Sequence, residues 1–205
     1  MSTLALILWS IYVAVALVLR VMLQWRAVRR TGWVVAKNAP GSKAWALAMF
    51  VTGASLICLA SPALAVLWPG AALWRVWWLP AQVGFGVSVY TLGLVVTFVA
   101  QLQMGDAWRI GVDPTERTRL IVHGLFRGVR NPIYAGMLLS AGGLAWLAPT
   151  WLSLIGFGTL LAALELQVRL LEEPYLLRTH GAEYRAYAAR AGRFVPGIGR
   201  LEPTG

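Results

Sequence analysis

The chain has 205 residues, of which 59% are hydrophobic and only 13% are charged. Since soluble domains carry about a quarter charged residues, this composition excludes an ordinary soluble domain, a disordered segment and a coiled coil. The net charge is +10, and the basic residues lie between long apolar runs, which indicates a membrane protein without a nucleic-acid partner. The single cysteine, Cys58, excludes a disulfide scaffold.

Apolar runs predict the first three membrane helices. Arg20 is the only charged residue in the stretch 4–24, and the runs 44–74 and 76–105 contain none. A membrane span needs about 20 apolar residues, each rising about 1.5 Å along the helix. These stretches therefore predict one helix apiece, at 4–24, 44–67 and 77–102.

The last apolar run, 131–164, is too long for a single span and contains Pro149 near its middle. Proline breaks a helix because it lacks the backbone N–H and its ring collides with the preceding turn. We therefore predict two helices, 132–148 and 151–171, that form a hairpin. The first is at the short limit for a span, so the sequence allows a hairpin that crosses the membrane or one that dips into it.

The distribution of lysine and arginine predicts the orientation in the membrane. These residues are concentrated in the loops after the first and third predicted helices and in the C-terminal tail, whereas 68–76 and 148–151 contain only Arg75. The positive-inside rule then places the N-terminus outside and the C-terminus in the cytoplasm. The composition suggests a high-GC bacterial source, so the expected location is a bacterial inner membrane. Residues 1–24 lack the basic segment that precedes the apolar core of a signal peptide, so they are predicted to be a true span.

Two polar stretches, 104–136 and 164–196, lie on the predicted cytoplasmic side. The first contains Arg-Asn-Pro-Ile-Tyr-Ala-Gly at 130–136, and the second contains Glu172-Glu173 followed by Gly-Ala-Glu-Tyr-Arg-Ala-Tyr at 181–187. In order and spacing these elements resemble the isoprenylcysteine carboxyl methyltransferase family. That family has an R-H-P-x-Y-x-G element, in which this chain has Asn131 in place of the histidine. The resemblance covers about residues 100–197.

This resemblance, with the predicted helices, implies an all-α integral membrane protein of about five transmembrane helices. The last two helices form the hairpin, and a cytoplasmic loop and a C-terminal helical tail close a cofactor pocket. The implied enzyme takes S-adenosylmethionine from the cytoplasm and a lipophilic acceptor from the bilayer. We expect residues 1–103 to form three helices with a basic loop, and residues 104–205 to form the catalytic region.

The chemistry of S-adenosylmethionine indicates which residues bind it. The molecule carries a sulfonium, an ammonium, a carboxylate and ribose hydroxyls, so its site needs carboxylates, a cation and aromatic faces. A helix that begins at Pro132 adds free N–H groups for the cofactor carboxylate. The residues predicted to bind the cofactor are His123, Gly124, Arg127, Arg130, Asn131, Pro132, Tyr134, Glu172, Glu173 and Tyr184.

The two adjacent glutamates are predicted to have different roles, because neighbouring residues on a helix point about 100° apart. Glu165, Arg169 and Glu173 have the spacing of a charge ladder along one face, while Glu172 points toward a pocket. Pro174 predicts a helix break at the pair. The alternative is that both glutamates are solvated residues at the end of a membrane helix.

Methyl transfer to a carboxylate is a displacement that depends on positioning and needs no general base. Arg130 and Arg109 are predicted to orient the acceptor carboxylate, with ordinary positive-inside arginines as the alternative. Glu172 is the third predicted catalytic residue, acting as a base if the acceptor is an amine.

Three other functions stay open: a phospholipid N-methyltransferase, an NADPH-dependent membrane reductase and a non-enzymatic scaffold. The reductases are longer, and a scaffold does not explain the clustered polar stretches. His123 and His180 are isolated, so no metal site is predicted. Gly84 and Gly86 form a G-x-G pattern in the third helix, which indicates either close helix packing or proximity to the cofactor.

Overall fold

The computed structural model describes residues 2–29, 49–71, 73, 80–108 and 119–202. Within them the regular elements are helices, and Val129 forms an isolated bridge with Gly192. Four helices are long and apolar enough to cross a membrane: α1 (Thr3–Ala27), α2 (Met49–Leu67), α3 (Pro80–Ala107) and a 38-residue helix, Trp151–Ala188. A shorter apolar helix, α4, spans Pro132–Leu147. The predicted all-α membrane fold is confirmed, and the predicted helix starts at 44 and 77 lie outside the described residues.

The 38-residue helix consists of α5 (Trp151–Gln167), a π turn (Val168–Glu172) and α6 (Glu173–Ala188). The prediction that this helix ends at 171 is therefore wrong. Pro174 lies in the first turn of α6, after the wider turn, where the missing N–H does little harm. At Gly181, with φ 53° and ψ −121°, α6 changes direction.

Helices α3 and α4 pack with their backbones in close contact. A Cβ on Gly136 would lie 2.6 Å from the Gly93 carbonyl, and a Cβ on Gly143 would lie 2.7 Å from the Gly86 carbonyl. Small residues allow this approach, which brings van der Waals contact between helices where lipid provides no hydrophobic driving force. Gly84 faces open space, so Gly86 is the packing member of the G-x-G pair.

The hairpin turns where Pro149 predicted a break, so that prediction is confirmed. Thr150 caps α5: its hydroxyl accepts a bond from the Ser153 N–H, and the Ser153 hydroxyl accepts one from the Thr150 N–H at 3.0 Å. Ser61 of α2 joins the same turn, accepting from the Thr150 hydroxyl at 2.9 Å and donating to the Ala148 carbonyl at 2.6 Å. These bonds hold the turn of the hairpin against α2.

Polar side chains join α1 to α3 along their length. Arg20 is 4% exposed, and its guanidinium lies over the Trp108 ring, 4.6 Å from the centroid. Four side chains donate hydrogen bonds to backbone carbonyls of the other helix: Tyr90 to Leu8, Gln101 to Ala16, Arg20 to Gly105, and Gln24 to Asp106. The last two bonds fix α1 to the end of α3, close to the candidate site.

Candidate functional site

The two predicted site stretches meet at one end of the bundle, which we call the basic side (residues 105–108, 119–131 and 189–202). The Arg130 N–H donates to the Gly192 carbonyl at 2.7 Å, and the Gly192 N–H donates to the Gly128 carbonyl at 3.0 Å. A Cβ at Gly192 would collide with the Val195 carbonyl, so the close return of the chain requires glycine here. Residues 189–202 thus lie against the start of α4, and we call them the C-terminal strap.

Arg130 is at the centre of these contacts. Its Nη1 donates to the carbonyls of Ala188 and Ala191 at 2.9 Å each, and its Nη2 donates to Glu173 Oε1 at 2.7 Å and to the Gly199 carbonyl at 2.9 Å. The side chain is 2% exposed, and its buried Nε has no hydrogen-bond partner among the described residues. Arg130 therefore binds the end of α6 and the strap, and its contact with an acceptor or cofactor stays a prediction.

Glu173 also binds Arg193 of the strap, which donates from Nε at 2.9 Å and from Nη2 at 3.2 Å. Hydrogen bonding to Glu173 raises the pKa of Arg193 above its ordinary value, so this guanidinium stays charged. We call Arg130, Glu173 and Arg193 the arginine clasp. Arg169 pairs with Glu165 at 2.5 Å, so the predicted charge ladder is present in that half, while Glu173 is turned into the clasp.

Glu172 has different neighbours from Glu173. The Tyr134 hydroxyl donates a short hydrogen bond to Glu172 Oε1, and the Gln167 amide lies 3.4 Å from the same oxygen. Glu172 is the last residue of the π turn, a feature that occurs frequently at functional sites. The turn therefore directs one glutamate to the start of α4 and the next to the clasp.

Asn131 lies at the N-cap position of α4, where the resembling family has histidine, but its side chain forms no capping hydrogen bond. Its backbone N–H and its side-chain Nδ2 both donate to the Arg193 carbonyl, each at 3.1 Å. Pro132 follows as the first helical residue. The N–H groups of a first helical turn have no partner within the helix, so this turn can accept an anionic group.

A 3₁₀ turn, Gly124–Arg127, follows His123 on the basic side. Gly124 has φ 59°, and a side chain there would collide with Gln103. Gln103, near the end of α3, accepts a hydrogen bond from the Leu125 N–H at 2.8 Å and so fixes the turn. His123 and Arg127 are both exposed at the surface beside it.

Tyr184 lies in a small core between α6, the strap and the 119–131 segment. It is 1% exposed and packs against Tyr187, Ala188 and Ala191. Tyr187 donates to the Phe126 carbonyl at 2.7 Å, which joins α6 to the 3₁₀ turn. Contact between Tyr184 and a cofactor would require this core to open, and it stays a prediction.

A cleft of about 350 Å³ opens between the two stretches, and its walls are Val122, Arg127, Tyr187 and Arg190. Arg127, predicted to bind the cofactor, therefore lines a cavity. Arg109, one of the predicted catalytic residues, lies outside the described residues.

Sequence reasoning did not identify Arg193, Gln103 or Arg190 as parts of the site. Arg193 and Arg190 belong to a tail rich in arginine, where nothing local marks a specific partner. Gln103 offered a signal, because a polar residue near the end of a long apolar helix faces either solvent or a partner. Its partner, Leu125, is a backbone group with no sequence signature.

Comparison with known proteins gives one family match, sequence relatives and a structural neighbour. The sequence model of the phospholipid methyltransferase family matches residues 81–183. Protein-S-isoprenylcysteine O-methyltransferase B of Arabidopsis thaliana is 28% identical over 76% of this chain and 75% of its own, and protein-S-isoprenylcysteine O-methyltransferase A of the same plant is 26% identical over 64% of this chain and 65% of its own. A solved structure of the eukaryotic intramembrane Ras methyltransferase ICMT aligns with 93% of this chain and 76% of that chain, at 19% identity and a TM-score of 0.49.

Proposed function

Because the chain belongs to the phospholipid methyltransferase family, we propose that this membrane methyltransferase uses S-adenosylmethionine to methylate a lipophilic carboxylate at its basic side. The proposed acceptor is isoprenoid- or lipid-like, in line with the S-isoprenylcysteine in the names of the Arabidopsis relatives. One observation carries the proposal. The stretches 127–134 and 172–187 are distant in sequence, yet Arg130 binds Glu173 at 2.7 Å and Tyr134 binds Glu172.

The chemistry of these residues fits the donor. Glu172, partly buried beside Tyr134, offers a carboxylate to an ammonium or to ribose hydroxyls. The first turn of α4 offers N–H groups to a carboxylate, and Arg127 offers an exposed guanidinium nearby. When bound, the donor supplies an electrophilic methyl group on a sulfonium, a cation that favours aromatic faces.

The acceptor half of the proposal depends on arginine. A carboxylate acceptor is already an anion at neutral pH, so the protein has to orient it and exclude water rather than remove a proton. We assign this orientation to Arg130 and Arg109. The buried, unpartnered Nε of Arg130 supports the assignment, because it is the part of that guanidinium still able to donate.

The same reasoning extends to orientation and organisation. We propose that the basic side faces the cytoplasm of a bacterial cell, where the donor is dissolved. Residues 104–205 then form the catalytic region, and residues 1–103 supply three helices and a basic loop. This arrangement places the acceptor in the bilayer and the donor in water, on either side of the same site.

Donor binding is tested by titrating S-adenosylhomocysteine into the purified protein in nanodiscs. The wild type is expected to bind, and Glu172→Gln and Tyr134→Phe to bind at least about tenfold more weakly, since a charge-assisted hydrogen bond contributes about 1.5–3 kcal/mol. Glu183→Gln removes the same charge from an exposed position of α6 and is expected to bind like the wild type. Absence of binding by the wild type, with stabilisation by NADPH instead, would contradict the proposal and favour a reductase.

The description of the matching family supports a second candidate, phospholipid N-methylation. Methyl-labelled donor is incubated with the enzyme and either S-farnesylcysteine or phosphatidylethanolamine. A methyl ester releases labelled methanol in base, whereas an N-methyl group does not. Base-labile label on the farnesylated acid is the expected result, and base-stable label on phosphatidylethanolamine would replace it with the second candidate.

A further inference from the structure

The cleft on the basic side has a positively charged rim and an apolar wall. Arg127 and Arg190 are exposed on either side of it, Val122 is 44% exposed, and the buried ring of Tyr187 completes the wall. The Tyr187 hydroxyl is already bonded to the Phe126 carbonyl at 2.7 Å, so both sides of the cleft are fixed to each other. Its volume of about 350 Å³ falls in the range of small-ligand sites.

The two rim arginines differ from the arginines of the clasp. Arg130 and Arg193 are paired with Glu173, whereas neither Arg127 nor Arg190 forms an ion pair with a carboxylate among the described residues. Arg190 uses Nε to bond the Ala186 carbonyl, at the end of α6 where a cation is favourable, and its other nitrogens stay available. Two like charges beside one cleft repel each other unless an anion lies between them.

The position of the cleft relative to the membrane surface indicates the source of that anion. Helix α4 has 16 residues and so rises about 24 Å, less than the hydrocarbon core of about 30 Å. A helix shorter than the core does not carry its ends far out into water, so we infer that its first residue, Pro132, lies near the headgroup region. Arg127 precedes Pro132 by five residues, and Tyr187 ties Arg190's segment to the same turn.

From these observations we propose that Arg127 and Arg190 bind the phosphate of an anionic phospholipid in the leaflet on the basic side, with Val122 against its glycerol and upper chain. Guanidinium groups suit phosphate oxygens because they donate parallel hydrogen bonds. A free phosphate ion offers the same oxygens, but it lacks the apolar part that Val122 would contact. The proposed function also offers Arg127 to the donor carboxylate, so the test is made without donor and relies on Arg190, which the proposed donor site does not use, to separate the two proposals.

The test uses the full-length protein in nanodiscs of phosphatidylcholine, with and without phosphatidylglycerol, and no methyl donor. Native mass spectrometry counts the phosphatidylglycerol molecules that stay bound. Arg127→Gln and Arg190→Gln are each expected to retain at least about tenfold less phosphatidylglycerol than the wild type, and Arg190→Lys to retain an intermediate amount. Arg178→Gln removes the same charge from an exposed position of α6 outside the cleft and is expected to behave like the wild type.

Three results would overturn the proposal. Equal losses in Arg178→Gln and Arg190→Gln would mean that the lipid responds to overall charge and not to the cleft. Displacement of the lipid by millimolar inorganic phosphate would make the cleft a site for the free ion. Retention of the lipid by Arg190→Gln, together with weaker binding of S-adenosylhomocysteine, would assign the cleft to the donor carboxylate. Unchanged melting temperatures in phosphatidylcholine nanodiscs serve as the folding control.

Discussion

Glu172 and Glu173 are adjacent, yet they have separate sets of partners. Glu173 accepts hydrogen bonds from Arg130 and Arg193, while Glu172 accepts from Tyr134. Removal of one partner from a buried ion pair leaves an uncompensated charge, whereas an exposed pair contributes little. Glu173 should therefore matter for stability and Glu172 for ligand binding.

Glu173→Gln is expected to lower the free energy of unfolding by about 3–5 kcal/mol, because it leaves the buried Arg130 without its counterion. Glu183→Gln is the matched control: this glutamate is exposed on α6, so a loss of no more than about 1 kcal/mol is expected. Denaturant unfolding in detergent, followed by tryptophan fluorescence, measures both. Similar losses in the two variants would show that the clasp does not stabilise the fold.

At the scale of residues, motif order predicted which side chains gather but not what each one binds. Arg130 stands out because it precedes Asn-Pro, and the structure does place it between the two stretches. Its carbonyl partners, Ala188, Ala191 and Gly199, depend on the path of the strap, which has no periodicity or motif to reveal it. Backbone acceptors carry no sequence signature, so such contacts require the fold.

At the scale of elements, the contact between α3 and α4 depends on the absence of side chains. Gly136 and Gly93 face each other, and Gly143 faces the Gly86 carbonyl, so a methyl group at Gly136, Gly93 or Gly143 would force the backbones apart. The start of α4 carries Asn131, so a displacement of this helix would also move the site.

Gly136→Ala is expected to destabilise the protein by about 1–3 kcal/mol or more, as overpacking of a tight contact does. Gly84→Ala, on the same helix as Gly86 but facing open space, is expected to be neutral or slightly stabilising, since alanine favours helix more than glycine. Melting temperatures in detergent give the comparison. A harmless Gly136→Ala would mean that the helices do not approach as closely as described.

The helices themselves were readable from sequence because long apolar runs and Pro149 are strong, local signals. The misplaced end at 171 has an equally local cause: Pro174 breaks an α-helix, but the preceding π turn already departs from α-helical bonding. A π turn has no distinctive composition, so the sequence could not show that the helix continues to Ala188.

At the scale of the whole molecule, the two ends of the bundle differ in charge, and this difference predicts its orientation. Gly70 lies after α2, on the side where the hairpin turns, and Glu202 lies at the end of the strap on the basic side. Their accessibility from the two faces of the membrane should therefore be opposite.

Orientation can be measured with single cysteines, because Cys58 is the one native cysteine and is buried. In a Cys58→Ala background, Gly70→Cys is expected to react with a membrane-impermeant maleimide on intact cells. Glu202→Cys is expected to react only after the cells are opened. The reverse pattern would place the basic side outside and contradict the positive-inside assignment.

The N-terminal helices belong to the same folded unit as the site, although the family match begins only at residue 81. Arg20 and Gln24 of α1 bind the carbonyls of Gly105 and Asp106 at the end of α3. From there Gln103 continues the connection to the turn beside the cleft. A site built in the matched half is therefore supported by helices outside it.

The π turn at Val168–Glu172 also makes the enzyme tolerant of a change in chain length at one place. Such a turn holds one residue more than an α turn, so deletion of Leu171 would restore regular bonding and leave the residues after it close to their present direction. Deletion of Leu161, in the regular part of α5, would instead rotate everything after it by about 100° and turn Glu173 away from Arg130. A homologue could therefore lose one residue at the π turn and keep its motifs aimed as they are here, but not one residue elsewhere in α5.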